Sequence, residues 1–296
     1  MIKSASRKFG DWVITLICFG VILLCLLPLV NLLAQSLSDP LAIINRKVTF
    51  LPVVGDKLGI SSESYAFVFR DATFTRSMIW TAILTVICTL FSLAITILCA
   101  YPLTYDNLKG KGIINTIIIF TMYFGAGTIP TYIWMKDLHL LNNPLVLILP
   151  GALSVFNMII LRSFFFGIPL ALRESAELDG ANPFTVLIHV YLPLSGAVLA
   201  TLALFYAVGR WNGFSDALLY LTDPTFHPIQ LKLYNIINNL SSIEIATQEG
   251  IAGGAPQASE GMKAAAVMIA TIPIVIVYPW LQRYFIAGVS IGAVKG

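Results

Sequence analysis

The chain has 296 residues, of which 57% are hydrophobic and only 11% are charged, and its mean hydropathy is +0.84. Soluble domains carry about 25% charged residues, so this chain cannot cover a water-facing surface, and a lipid bilayer is the solvent for much of it. The net charge of +3, with no basic run and no interleaving of aromatic and basic residues, excludes nucleic acid as a partner. Cys18, Cys25, Cys88 and Cys99 lie inside apolar stretches without a CxxC pair and read as small buried hydrophobes. His139, His189 and His227 have no ligand-spaced partner, so no metal is expected. No phosphate-binding glycine loop, G-x-S-x-G or HExxH occurs, so no catalytic residue and no nucleotide hydrolysis are expected in this chain.

Lys3, Arg7 and Lys8 precede an apolar run from Trp12 to Gln35. That run exceeds the about 7–15 apolar residues of a signal peptide and has no small-residue cleavage site, so it is expected to remain as a helix. A spanning helix needs about 20 predominantly apolar residues, and the segments 12–36, 76–104, 113–136, 143–166, 191–221 and 263–286 qualify. The expected fold class is all-α, a polytopic membrane protein with six transmembrane helices. An even count puts both termini on one side. Lys109, Lys111, Arg162, Arg173, Arg283 and Lys295 join the N-terminal basic residues there in short segments, whereas Arg46, Lys47, Lys57, Arg70, Lys136 and Lys232 fall mostly in two long loops. The bias of lysine and arginine toward the inner side makes both termini cytoplasmic.

The outer loops, 37–75 and 222–262, are long for segments without a task. Ile229–Ile237 is an amphipathic helix candidate, and 247–261 reads as a flexible linker. Gly125-Ala126-Gly127 is expected to allow close helix packing.

Between the fourth and fifth spans, 167–190 forms the one substantial inner loop. Pro169 can open a helix, 170–179 holds good helix formers, Gly180 suits a left-handed cap, and Pro183 blocks continuation. The result is a short helix with Glu174 and Glu177 as neighbours and Ala176 as a flat spot. A second element, 184–191, leads into Leu192-Pro193.

Glu174-Ser175-Ala176, three residues, Gly180, nine residues, then Val190-Tyr191-Leu192-Pro193 resembles the EAA loop of binding-protein-dependent ABC permeases, which reads E-A-A, three residues, G, nine residues, I-x-L-P. Ser175 and Val190 are conservative departures. The E-L-D-G-A context, Trp211-Asn212 and the tail Gly292–Gly296 are similar to the sugar-importing, maltose-type second permease. Tyr206–Asn212 with Ile291–Gly296 resembles the polysaccharide- and lipoprotein-associated branch. The resemblance covers nearly the whole chain.

The resemblance implies a subunit of a bacterial cytoplasmic-membrane importer, forming half of the path for an oligosaccharide or polysaccharide fragment. Its implied partners are a second homologous permease, two ATPase subunits that bind ATP and Mg, and an extracytoplasmic sugar-binding lipoprotein. Glu174, Ser175, Ala176, Asp179, Gly180, Ala181, Leu192 and Pro193 would form the coupling region, and Lys295 and Gly296 would reach the ATPases. The implied organisation is an N-terminal helix and outer loop (1–75), a core permease domain (76–286) and a cytoplasmic tail (287–296).

The fifth span carries Arg210 and Asp216, and a charge at mid-bilayer costs about 2.5–3.5 kcal/mol on insertion scales. Two readings stand. Tyr206, Arg210, Trp211, Asn212, Asp216 and Tyr220 could line the sugar path, or Gly209 and Gly213 could make this a packing face with Arg210 and Asp216 as a structural pair. An ion-gradient transporter would show buried carboxylates or broken helices in repeated halves, and no such halves are evident.

Overall fold

Proline, glycine and small polar residues decide where the apolar stretches of this chain become helix and where they break. The computed structural model describes residues 5–45, 47–248 and 259–293. It divides into two units, Met1–Thr75 with Lys232–Ile272, and Arg76–Leu231 with Pro273–Gly296.

The first unit begins with α1 (Ala5–Ser36). Its most apolar 18-residue stretch has no buried residue, as expected of a helix whose faces meet lipid or another chain, whereas Ala34 and Ser36 at its end are buried. The segment after it is folded rather than a plain loop. Asp39 caps α2 (Pro40–Ile44) by accepting a hydrogen bond from the Leu41 amide at 3.2 Å. A hairpin of β1 (Val53–Val54) and β2 (Lys57–Leu58) pairs Val53 with Leu58, which departs from a strictly all-α expectation. The buried Ser38 hydroxyl accepts the Val53 amide at 3.0 Å. In α3 (Glu63–Arg70), Tyr65 OH lies 2.9 Å from Ser36 Oγ. Buried Ser64 is so close to Gly261 that a Cβ there would lie 2.7 Å from its hydroxyl. An Asp71–Lys232 ion pair at 3.1 Å ties the two stretches of this unit.

The axis of the second unit is α4 (Ala72–Ala100). Ser77, Thr81, Leu84, Cys88, Ser92, Thr96 and Ala100 recur at steps of three or four and are all buried, so the inward face of this helix is its small and polar one. Small residues let backbones approach, and lipid makes no distinction against the apolar outer face.

Beyond a 3₁₀ turn at Pro102–Thr104, the expected spans are interrupted. Helix α5 (Lys111–Tyr123) and α6 (Thr128–Asp137) meet at 115°. Gly127, with φ of +85°, makes that break, and nothing lies within 4 Å of a Cβ placed at Gly125 or Gly127. Gly127 therefore bends the chain, and neither glycine is held against another part of the described chain. The expected span at 143–166 is a 3₁₀ turn, Pro144–Leu147, followed by α7 (Val155–Phe166), with Ser154 as its N-cap. Pro144 and Pro150-Gly151 account for the gap, since proline removes a donor and fixes φ.

Next come α8 (Leu170–Leu178), at 74° to α7, and α9 (Pro183–Val186). A π-helical turn at Leu187–Tyr191 leads to α10 (Leu192–Leu194). The fifth expected span, 191–221, is broken twice, giving α11 (Gly196–Asn212), bent by 85° from the 183–194 stretch, and α12 (Ser215–Tyr220). Two helices complete the chain, α13 (Ile229–Gln248) and α14 (Ser259–Ala293). The amphipathic segment 229–237 is the start of α13. Residues 247–248 and 259–261 of the expected linker are helical, and 249–258 lie outside the described residues. Among those described, three helices are long and apolar enough to cross a membrane, or up to six if each bent pair is one span.

Two apolar clusters organise the second unit. One gathers Ala100, Tyr101, Met158, Leu161, Phe165, Val186, Leu187, Tyr191 and Leu202. The other gathers Leu84, Met135, Val146, Leu147, Ala217, Leu221 and Leu231.

At the end of α8 the Gly180 amide donates to Glu177 O at 3.1 Å and the Ala181 amide to Ala176 O at 3.0 Å. This is the Schellman arrangement, closed by Gly180 at φ +82°. A side chain in this region of φ costs about 1–2 kcal/mol. Gly180→Ala is therefore expected to speed amide exchange at residues 180 and 181 about five- to thirtyfold, and Gly180→Asn, which tolerates the left-handed region, to recover most of the protection. Hydrogen–deuterium exchange checks both.

Candidate functional site

Chemistry-bearing side chains of the second unit gather in two places, a polar cavity and the exposed face of α8. The cavity has a volume of about 800 Å³ and is lined by α4, the 144–151 segment, α7, α11 and α12. Tyr206, Arg210, Asp216 and Tyr220 all face it.

Arg210 is fixed by the two breaks around it. Its Nη1 donates to Asp216 Oδ2 at 2.6 Å and to Leu147 O at 3.2 Å. Its Nη2 donates to Asp216 Oδ1 at 3.1 Å and to Gly213 O at 3.1 Å. The terminal N–H groups of the guanidinium are thus taken by the protein, in the bidentate geometry that makes arginine–carboxylate pairs strong. Gly213 must be glycine for this, because a Cβ there would lie 2.9 Å from Arg210 Nη2. The Arg210 side chain is 9% exposed and that of Asp216 34%, so the carboxylate is the member open to the cavity. Arg210 and Asp216 thus form an ion pair in the wall of the cavity.

Tyr206 is also committed. Its OH lies 2.7 Å from Thr96 Oγ1 and accepts the Ser154 amide at 3.1 Å. Tyr220 stacks on Tyr132 with centroids 6.0 Å apart, and its carbonyl accepts the Asn142 amide at 2.8 Å. Asn142 Oδ1 in turn accepts the Asp223 amide at 2.9 Å. The Thr225 amide donated to Asp223 holds that carboxyl below the usual carboxylate range.

Trp211 and Asn212 do not join the cavity. Trp211 borders a separate apolar groove of about 320 Å³ with Ala82, Val86, Leu204 and Pro273. Asn212 is exposed and bonds back to Val208 O at 3.0 Å. Sequence reasoning missed Ser92, Ser154, Asn157 and Ser215, which complete the polar wall. Cys88 and Ser92 were detectable as the four-residue polar repeat of α4. Among the described residues no cluster of His, Cys, Asp or Glu could hold a metal.

On α8, Glu174, Ser175, Asp179 and Gly180 are exposed, and Leu178 is 88% exposed. Ala176, Ala181 and Leu192 pack on the first apolar cluster, while Pro193 is exposed. The eight sequence-predicted residues therefore separate into an outward face and a seat. Lys295 and Gly296 lie outside the described residues.

The chain matches the family described as "Binding-protein-dependent transport system inner membrane component" over residues 58–291, and it belongs to that family. It is 39% identical over 94% of its length to the protein LplC of Bacillus subtilis (strain 168), of which it covers 92%. It is 36% identical over 93% of its length to the polygalacturonan/rhamnogalacturonan transport system permease YtcP of the same organism, covering 94% of it. A solved structure of a bacterial ABC transporter involved in the import of the acidic polysaccharide alginate has a chain superposing with a TM-score of 0.85 at 31% identity, covering 96% of this chain and 99% of that one.

Removing one member of a buried ion pair costs about 3–5 kcal/mol, because a charge is left unpaired. Water reaching Asp216 reduces this to about 1–3 kcal/mol here. Asp216→Ala, which strands the guanidinium, is expected to destabilise the purified protein more than Arg210→Met, which leaves a carboxylate that cavity water can solvate. Thermal melts in detergent give the order.

Proposed function

We propose that this chain is a permease subunit of an ATP-binding-cassette importer and forms half of a translocation path for an oligosaccharide or polysaccharide fragment. The carrying observation is the Schellman-capped helix α8, seated by Ala176, Ala181 and Leu192, with Glu174, Ser175 and Leu178 open to a partner. Membership of the family and the sugar-transport names of its relatives support the same reading.

In this reading the exposed face of α8 sits in a groove of a cytoplasmic ATPase subunit, which carries out ATP hydrolysis, and both chain termini are cytoplasmic. A second, homologous permease completes the path, and an extracytoplasmic binding protein delivers the sugar. The exposed apolar side chains of α1 meet lipid or that second permease. Closing of the ATPase pair displaces α8 and tilts the bundle, alternating access to the cavity. Within the cavity Asn157, Ser92, Ser215 and the Tyr220 ring supply the hydrogen bonds and aromatic face that sugars use, while Arg210 holds the wall.

Glu174→Lys is expected to leave membrane insertion intact, abolish ATPase association and lower ATP-driven uptake of pectic or alginate-derived oligosaccharides at least tenfold. Reconstituted uptake should need ATP, the ATPases and the binding protein, and should persist when ion gradients collapse. Normal uptake by Glu174→Lys would sink the coupling assignment.

A further inference from the structure

Helix α8 is joined covalently to α7 and to the α9–α10 segment, and those joints alone would carry its displacement. Side chains add a third attachment. Arg173 lies on the seated face of α8, its guanidinium carbon 4.5 Å from the centroid of the Tyr105 ring and its Nε 3.5 Å from Glu177 Oε1. The Arg173 side chain is 16% exposed. A planar guanidinium over a ring face, shielded from water, is a stronger and more oriented contact than a solvated lysine makes.

Tyr105 follows the 3₁₀ turn that closes the α4 end. Its OH lies 2.6 Å from Tyr101 OH, and Tyr101 donates to Pro183 O at 2.9 Å, which leaves Tyr105 as donor in the tyrosine pair. The Tyr101 ring meets Tyr191 edge-on at 5.1 Å. Five residues back along α4, about 7.5 Å at the rise of a helix, Thr96 donates to Ser92 O at 2.7 Å. Thr96 Oγ1 therefore accepts from Tyr206 OH, 2.7 Å away, which accepts the Ser154 amide at the N-cap of α7. The hydroxyls thus form two sets of determined direction, Tyr105 and Tyr101 ending on Pro183 O, and Tyr206 and Thr96 in the cavity wall ending on Ser92 O, and the helical backbone between Thr96 and Tyr101 joins them.

We propose that α4 is a transmission arm, latched to the loop helix by Arg173 on Tyr105 and Tyr101 and joined to the cavity wall through Thr96 and Tyr206. Arg173 is a positioning residue and touches no substrate. The inference rests on the coupling reading of α8 and adds a route that the covalent joints do not provide.

The test uses the complete importer in nanodiscs, with Ser215→Cys in the cavity wall as reporter and the other cysteines replaced. The readout is the rate of labelling by a water-soluble thiosulfonate, with and without ATP and vanadate. ATP trapping is expected to change that rate about tenfold. With Arg173→Gln or Tyr105→Leu the change is expected to fall below twofold, while ATPase association and basal ATP hydrolysis stay within twofold of the parent. Arg173→Lys, which keeps a cation over the ring, is expected to retain at least half of the response. Thr96→Val is expected to reduce the response to about a third, and Arg173→Gln with Thr96→Val to be no worse than Arg173→Gln alone, because both cut one arm.

An undiminished response in Arg173→Gln, a loss just as complete in Arg173→Lys, or multiplying losses in the double variant would overturn the proposal. So would loss of ATPase association in Arg173→Gln, because Arg173 would then only hold the docking helix folded. In the same assay Glu174→Lys separates the two claims. Intact association there removes the coupling reading and the latch with it, whereas lost association beside a silent Arg173→Gln removes the latch alone.

Discussion

A single guanidinium fixes the geometry of the polar cavity. Arg210 bonds the end of the 144–147 turn through Leu147 O, the end of α11 through Gly213 O, and the start of α12 through both oxygens of Asp216. The first two are places where the helical ladder stops and leaves carbonyls without amide partners. In a bilayer an unsatisfied carbonyl costs several kcal/mol, so breaks inside the apolar region persist only where something else supplies donors. Arginine does so with a charge that Asp216 neutralises on the spot. The cavity wall consequently presents mostly neutral hydrogen-bonding groups and only the outer edge of a carboxylate.

The same constraint inverts the usual amphipathic logic along α4. In water the inward face of a helix is apolar. Here Ser77, Thr81, Ser92 and Thr96 are buried while Ile79, Val86, Leu90 and Leu98 are exposed. The hydroxyls of Thr81 and Thr96 each serve two partners. Thr81 donates to Ser77 O and accepts the Ile229 amide at 2.7 Å, pinning the start of α13. Cys88 adds a weak contact to Leu147 O at 3.6 Å, the same carbonyl that Arg210 bonds. Small side chains allow the approach and polar ones give it register.

These physical rules explain what the sequence could and could not disclose. Helix α8 was legible because its start, composition and stop are each local: Pro169, a run of helix formers, and a glycine at the left-handed position. The long apolar helices α1 and α4 were legible for the same reason. The breaks in the other expected spans were not, because hydropathy reads solvent and not backbone. Gly127, Ser195 and Gly213 sit in stretches as apolar as unbroken ones. The scatter of the candidate sugar-path residues was legible in principle. Tyr206 and Arg210 are four apart and share a face, whereas Trp211 and Asn212 turn away at about 100° per residue. Grouping them by closeness in sequence ignored that period. Lys295 and Gly296, assigned to the ATPases by resemblance, stay a proposal.

The distribution of breaks also assigns mechanical roles. Three helix pairs are bent between 74° and 115°, and their joints are where backbone angles can change at least cost, as hinges require. Helix α4 has no break over 29 residues. It contributes Leu84 and Cys88 to one apolar cluster and Ala100 to the other, with Tyr101 directly after its last residue. Those points are separated by about 24 Å of continuous helix at 1.5 Å per residue. A stiff element anchored in both clusters cannot bend to absorb a displacement, so a push delivered at its Tyr101 end must appear at its Thr96 and Ser92 positions as translation or rotation. Helix α11, interrupted at Ser195 and again at Gly213, can take up that motion by tilting. The cavity lies between the rod and the hinged helix, with Cys88 and Ser92 on one side and Tyr206 and Arg210 on the other.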